Sequence, residues 1–489
     1  MQGKKHYQEK LFVSFQLSDH VPEENFYRRL KEIIDFSFLY GKTSEYYGKE
    51  GQKSVDPVVF MKLILVGYLE NLNSDRRIIS VCKMRLDILY FLGYNLDEEL
   101  PWHSTLSRTR QLYGQEIFSE IFRLVLKQCI DKGMISGKRQ AVDGVYVKAN
   151  ASLDNMIERD ILNDADVYRS ELDANREDDA VVINMKENGF GGVNELKPKK
   201  NPHNKTHYNP SDPDAKMSVK PGKATALNFL GQVSVDTASH MITHIQAFTA
   251  DKRDCQCLPE VLKNVIENLK ENELGIDEVV ADRGFSSGEA LKSLEENNII
   301  GYIPNMPQFI YQRTGFTYHS EGDYYSCPNN NKLTYRGTYK EVNTFKKHYR
   351  ANKKDCNICP FKSECSVYTP KEALITETID RPYYVRMHLR MQSRKAKRLM
   401  KVRQSTVEPV IGTLVNYLGM KRVNTKGLIQ ANKCLTMAAV AYNLKKLLNH
   451  ICKRIMVSVQ SLKKREETGL NSLWGAKCKN LFTRQIGLN

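Results

Sequence analysis

The sequence predicts an α/β protein: a mixed sheet covered by helices, preceded by a helical region and interrupted by a cysteine-rich insertion. Three observations carry this reading. Residues 139–303 alternate Val-rich, strand-like runs with amphipathic stretches. Residues 1–135 instead carry apolar residues at three- and four-residue spacing. Between Pro304 and about Asp380, Tyr, Asn, Gly and Cys displace both patterns.

In the helical region, Pro57–Leu69 has the periodicity of a helix, with Asp56 as N-cap and Pro57 at the first helical position. Asn73-Ser74-Asp75 opens the next helix. Trp102–Arg110 offers hydroxyl caps followed by the basic residues Arg108 and Arg110. Short helices with basic residues near their starts suit contacts to DNA phosphates, and equally an ordinary helical bundle.

The texture changes at Arg139. Gln140–Ala149 reads as a strand, Ala151–Asn188 as charged and helix-like, and Gly189–Gly222 as a long loop. Ala224–Val235 and Met241–Ala247 are strands joined by the turn Asp236–His240. Leu258–Glu271 is an amphipathic helix with Pro259 in its first turn, followed by a short buried strand at Ile276–Ala281. Ser286–Asn297 is a capped helix and Ile299–Ile303 a further strand. Two antiparallel neighbours followed by helix-linked strands is the order of a ribonuclease-H-like fold. Helical sequence resumes near Met387 and runs to about His450. The expected plan is therefore a helical DNA-binding region at 1–135, a catalytic core at 139–303 and 387–450, an inserted subdomain at 304–386, and a basic tail at 451–489.

The chain's 489 residues are too many for one compact core, and two to four domains are expected. A hydrophobic content of 41% and a charged content of 27% fit a soluble globular protein. No run approaches a membrane span, and the N-terminus lacks a signal-peptide apolar region, so the expected location is the cytoplasm. An odd count of 11 cysteines without a secretion signal favours free thiols and metal ligands over a disulfide framework. No Walker loop or dinucleotide fingerprint is present, which removes support for a nucleotide cofactor.

Three acidic residues stand where phosphodiester chemistry would need them. Asp143 lies in a Val-rich strand, where an ionised carboxylate is costly unless paired or metal-bound. An Asp-Gly pair also commonly marks a turn. Asp282 ends the run Glu278–Asp282, and Gly284 would let the backbone turn sharply there; a plain turn with Arg283 paired to Asp282 is the alternative. Glu408 follows Arg381–Val407, a stretch with nine Lys/Arg and no Asp or Glu. Arg394, Lys401 and Glu408 recur at seven-residue spacing, hence near one helix face, with Arg390, Lys397 and Arg398 close by. The other reading is a solvated basic helix. Pro409 means either a kink at Glu408 or a new helix beginning there. Cys356-x-x-Cys359, with Cys365 and Cys327, has the spacing of a structural zinc site, with a redox pair or incidental thiols as alternatives.

Together these segments resemble the DDE-class bacterial insertion-sequence transposases. Asp143–Ser152 resembles the strand of the first aspartate, Asp212–Lys216 with Gly231–Asp236 the next block, and Val280–Phe285 the segment of the second aspartate. Ser405–Gly412 with Gly419–Leu428 resembles the glutamate segment, and Asp56–Lys62 with His103–Arg108 the helical N-terminal region. The cysteine insertion resembles that of one branch of the family. The sequence departs from the family pattern at Lys401, Gln404 and Val415, where many relatives carry Tyr, Arg and a basic residue; Lys421 and Arg422 are partial substitutes.

The resemblance implies binding of an element's terminal inverted repeats, cleavage of its ends and strand transfer into target DNA by a homodimer. Asp143, Asp282 and Glu408 would hold two Mg²⁺ (or Mn²⁺) ions, since hard cations prefer oxygen ligands. Arg390, Arg394, Lys397, Arg398, Lys401, Arg403, Lys421 and Arg422, with Arg108 and Arg110, are the expected phosphate contacts. Two alternatives stand beside this: a nuclease of the same fold without strand transfer, and a transposase-derived DNA-binding protein.

Overall fold

The computed structural model describes residues 14–48, 54–159, 203–219, 224–341, 344–370 and 372–467, together with 2, 5 and 50. The expected charged helix at Ala151–Asn188 and most of the loop after it lie outside the described residues, as does the end of the basic tail. The described chain forms two compact units, one of residues 1–113 and 440–489, the other of residues 114–439.

The first unit is helical, as its periodicity predicts. Helix α1 spans Phe26–Ile33, α2 Pro57–Leu69, α3 Asp75–Met84, α4 Leu86–Leu92 and α5 His103–Leu112. Asp56 caps α2, its Oδ1 accepting from the N–H groups of Val58 and Val59 at 2.7 and 3.0 Å. Arg110 of α5 is buried and pairs with Asp75 of α3 at 2.7 Å. The guanidinium thus ties two helices together and is not presented to a phosphate.

The second unit begins with α6, Gln115–Asp131, whose apolar stripe Ile117, Ile121, Val125 and Leu126 is buried. Its main sheet has six strands: β1 Arg139–Lys148, β2 Lys216–Ser218, β3 Ala226–Asp236, β4 Ile242–Thr249, β5 Glu278–Val280 and β6 Ile300–Tyr302. β1 lies centrally, antiparallel to β3 and parallel to β5, which is itself parallel to β6. The outer edge of β3 is taken by β2 and then by β4, its hairpin partner. The β3–β4 turn has His240 at φ 59°, and the Asp236 carboxylate accepts from Ala238 N–H at 2.9 Å. This is the strand order expected of the ribonuclease-H-like sheet.

Helices α7 (Asp254–Lys270) and α8 (Gly288–Glu296) link β4 to β5 and β5 to β6. α7 starts four residues ahead of the expected Leu258, because the Gln256 side chain accepts from the Arg253 N–H at 2.8 Å and closes the first turn. Pro259 therefore lies inside the helix. After the insertion come α9 (Arg381–Met391) and α10 (Arg394–Tyr417); α10 runs unbroken through Pro409, so neither a helix end nor a new start falls at Glu408. The last helix, α11 (Leu428–Glu467), begins in this unit. Asp212 and Asp214 accept from the N–H groups of Gly427 and Leu428 at its start, at 3.1 and 2.9 Å. The Asp212–Lys216 motif is thus a helix cap. Asn432 then fixes α11 to the β4 edge through the backbone of Ala247.

The insertion is a five-stranded antiparallel sheet: β7 Thr317–His319, β8 Tyr324–Ser326, β9 Lys332–Glu341, β10 Thr344–Arg350 and β11 Leu374–Thr378. Its small core holds Phe316, Tyr325, Leu333, Tyr349 and Ile375. No helix among the described residues is long and apolar enough to cross a membrane.

Candidate active site

Asp143 occupies the middle of β1, opposite Val233 of β3. Its Oδ1 accepts from the Gly144 N–H and its Oδ2 from Arg403 Nη1, each at 2.9 Å. Burial pushes the Asp143 carboxyl above the usual carboxylate range; the Arg403 charge and the two hydrogen bonds pull against that, and the nearby negative charge of Asp282 adds to it. Asp282 follows the end of β5, where its Oδ1 accepts from the Gly284 N–H at 2.8 Å. The alternative pairing with Arg283 does not form among the described residues, and Arg283 is exposed. A strand centre and the carboxyl end of its parallel neighbour thus bring together two acids far apart in sequence.

Glu408 stands differently. The buried side of α10 is Ala396, Leu399, Arg403, Thr406, Val407, Val410 and Leu414. Glu408 is exposed, on the face it shares with Arg394, Lys401, Lys397 and Arg398. No hydrogen bond or ion pair joins it to either aspartate among the described residues. The seven-residue stripe is the solvated face of the helix. Of the expected phosphate contacts, Arg108, Lys421 and Arg422 are exposed too, and Arg390 donates to the Gly301 carbonyl at 2.9 Å. Arg403 is buried against Asp143, and like Arg110 is withheld from a phosphate.

A third carboxylate, absent from the sequence reading, shares the space around Gly284 with Asp282. Asp254, first residue of α7, accepts from Gln232 Nε2 at 2.6 Å. Gln232 is the cross-strand partner of Gly144. A Cβ on Gly144 would lie 2.2 Å from Asp254 Oδ1. One on Gly284 would lie 3.0 Å from Asp282 Oδ1 and 3.3 Å from Asp254 Oδ2. Neither glycine has positive φ, so no left-handed conformation requires it; Gly144 lies within β1 and Gly284 within the 3-10 turn Arg283–Phe285, and each leaves room for carboxylates. Successive strand residues face opposite ways, so α10, meeting Asp143, and α7, meeting Gly144, cover opposite faces of β1. The sequence signal for Asp254 was the missing side chain at Gly144, since an acid in a first helical turn is otherwise ordinary.

Residues 15–112 match a transposase domain family (DUF772), and residues 326–448 match a transposase DDE domain family. The chain belongs to the DDE-class transposases. Neither match reaches Asp143 or Asp282, so the aspartates of this transposase stand on their geometry and on the motifs around them. No curated protein matches the chain. A solved piggyBac transposase synaptic complex with hairpin DNA aligns at 10% identity over 86% of the transposase and 72% of that chain, with a TM-score of 0.31. A likeness that loose carries no argument.

Four cysteines of the transposase, Cys327, Cys356, Cys359 and Cys365, line one cavity of about 150 Å³ in the inserted subdomain. Burial pushes the Cys356 thiol above its ordinary range, and the neighbouring thiols add to this. Among the described residues, no three Asp, Glu, His or Cys side chains are already gathered tightly enough to hold a metal ion.

The glycine cradle makes a stability test. Gly144→Ala forces its methyl into Asp254, and overpacking of this kind costs about 1–3 kcal/mol. Gly412→Ala, where nothing lies within 4 Å, is the control and should hold or gain stability. Urea midpoints compare the two; an unchanged midpoint for Gly144→Ala would mean that the crowding is relieved at no cost.

Proposed function

We propose that the transposase binds the terminal inverted repeats of its element, cleaves the ends and joins them to target DNA by metal-assisted phosphoryl transfer. The observation that carries this is the placement of Asp143 on β1 and of Asp282 just past the end of its parallel neighbour β5, beside a helix with a basic solvent face.

The residues fit a hard divalent cation. Carboxylate oxygens are its preferred ligands, the glycines leave space around them, and the fully buried Gln232 keeps its Oε1 without a hydrogen-bond partner among the described residues. Asp143 and Asp282 would hold the metal; Glu408 joins them on the family resemblance alone. When bound, Mg²⁺ or Mn²⁺ activates the attacking oxygen and stabilises the leaving one. Arg403 balances Asp143, donating to its Oδ2, and would have to share that carboxylate with any cation held there. Arg394, Lys397, Arg398 and Lys401 place positive charge along the exposed side of α10, where a DNA backbone would meet it, and that binding should weaken steeply with salt. Two ends must be brought together, which a homodimer would do.

Purified protein, a DNA duplex carrying the element's end and Mg²⁺ test this directly. Cleavage followed by joining of a pre-cleaved end to a second duplex is expected. Cleavage without joining would favour the plain nuclease, and binding without either would favour a DNA-binding descendant.

For the cysteine cavity we propose a structural Zn²⁺, held by Cys327, Cys356, Cys359 and Cys365 as thiolates. Protein purified without chelators is expected to contain about one zinc per chain, as such four-thiolate sites do, and Cys356→Ser should lose it. Zinc-free protein with an unchanged unfolding midpoint would remove this site.

A further inference from the structure

The inserted subdomain holds a second cavity, which neither the cysteines nor the aspartates line. Its volume is about 940 Å³, within the size range of ligand pockets. The sheet lends Tyr318, Tyr325, Tyr349 and Lys347 to its lining, and the start of α9 lends Arg381 and Val385. α9 is itself fixed to the main sheet: Arg390 donates to the Gly301 carbonyl of β6, and Arg386 pairs with Glu295 of α8 at 2.6 Å. The rings form a connected surface. Centroids of Tyr318–Tyr325, Tyr325–Tyr349 and Tyr349–Tyr335 lie 4.9, 5.1 and 5.9 Å apart. Tyr335 and Tyr349 are cross-strand partners on β9 and β10, and so are Lys340 and Phe345 nearer the hairpin end. Tyr349, Lys347 and Phe345 alternate along β10, so this face of the ribbon continues the cavity wall. Tyr325 and Tyr349 belong to the buried core of the subdomain; Tyr318, Tyr335 and Phe345 do not, being 42%, 42% and 50% exposed.

Charge follows the same ribbon. Residues 332–350 contain six Lys/Arg and one Glu. Inside the cavity the cations are already paired: Arg313 and Arg381 share Glu377, and Lys347 holds Asp323. Those pairs brace the walls, and the outward charge is left to Arg336 and Lys340, both exposed. β8 pairs with β9 only over Lys332–Thr334, so the ribbon beyond runs past it as an edge. Cations on a strand edge also discourage aggregation. That purpose does not account for half-exposed rings, which such an edge does better without. Aromatic faces beside cations are the chemistry of single-stranded nucleic acid recognition, with bases stacked on rings and phosphates against the cations. A base can stack in this way only where its own faces are uncovered. We propose that the cavity and the ribbon bind unpaired nucleotides of a DNA strand, their bases on Tyr318, Tyr335 and Phe345 and their phosphates along Arg336 and Lys340. This deepens the strand-joining reading above and rests on it, since cleavage creates strand ends and α9 ties the cavity to the sheet that carries Asp143.

The probe is a single DNA strand of about ten nucleotides carrying 2-aminopurine, whose fluorescence falls on stacking, titrated with the full chain. A duplex of the same sequence is the comparison. Wild type is set beside the double variant Tyr335→Leu, Phe345→Leu and beside Tyr335→Phe, which keeps the ring. Both positions lie outside the subdomain's core; should the double variant not fold, each leucine change is measured alone. Wild type is expected to bind the strand and quench its fluorescence. The double variant should lose about tenfold in strand affinity per ring removed, together with the quenching. Tyr335→Phe should bind as wild type does, and duplex affinity should be the same in all three. Unchanged strand affinity and quenching in the double variant would overturn the site. So would an equal loss on strand and duplex, which would make the ribbon a general phosphate surface. Wild type that binds and cuts duplex but ignores the strand would overturn this site alone. Wild type that neither binds nor cuts DNA would overturn the proposed function with it.

Discussion

Asp143→Asn and Asp282→Asn are each expected to lower DNA cleavage by about three orders of magnitude, because metal stabilisation of transition-state charge is worth several kcal/mol and each 1.36 kcal/mol is tenfold in rate. DNA binding should be unchanged, since the exposed cations of α10 lie on a different face from the aspartates. The isosteric change keeps the acceptor for the Gly144 or Gly284 N–H, but Asp143→Asn also leaves Arg403 without its buried counterion, so the unfolding midpoint of each variant is measured beside its rate. The measurement is single-turnover cleavage beside a binding titration on the same duplex. Either variant cutting at the wild-type rate would take that aspartate out of the chemistry. Glu408→Gln belongs in the same assay. Its carboxylate is exposed and joins neither aspartate, so a loss as large as that of Asp143→Asn would show that α10 changes its presentation when DNA is bound.

Arg403→Met carries the largest stability effect. Breaking a buried ion pair by removing one partner costs about 3–5 kcal/mol. The Arg403 side chain is 9% exposed and that of Asp143 20%, so the lower end of that range applies. The loss should depend on pH, and its sign follows from Asp143. Burial already raises that carboxyl, and removing the guanidinium raises it further. The folded variant then holds a proton that the unfolded chain has released. Its stability falls as pH rises from the ordinary carboxylate range through the raised folded value, and recovers on acidification through the same window. Denaturant midpoints at pH 7 and pH 5 should therefore show a wild-type-to-variant gap that narrows at the lower pH. A gap of equal size at both would mean that the cost is lost packing rather than an unbalanced charge.

Much of the sheet was legible because its strands are regular. Val142, Val145 and Val147 bury into the core, and the helices between the later strands carry clear apolar stripes. Asp143 and Asp282 were legible for the same reason, an acid inside or ending an apolar run. The glycines were read by their commonest use. Asp143-Gly144 suggested a turn, yet Gly144 lies inside β1 and leaves space for a carboxylate that arrives from another element; Gly284 does stand in the bend expected of it, and leaves space for Asp254 as well. No local pattern encodes that, because the second party lies over 100 residues away from Gly144. Arg403 and Arg110 looked like phosphate contacts among other basic residues; burial, which sequence does not show for a long cationic side chain, makes each of them an internal counterion. Pro409 was ambiguous because a proline can kink a helix or start one, and α10 passes through it.

The pairing of Arg403 with Asp143 joins residues 260 positions apart, and the cap on α11 joins residues separated by 215. Contacts of such span close large loops, and their entropy must be met before they give anything back, which slows folding. A nascent chain emerging from the ribosome therefore displays its first aspartate strand long before the guanidinium that balances it has been synthesised. Products truncated before residue 403 would carry both aspartates without that partner, and should be poorly folded and readily degraded. Only a nearly finished polypeptide completes the core, so synthesis itself delays the appearance of competent enzyme.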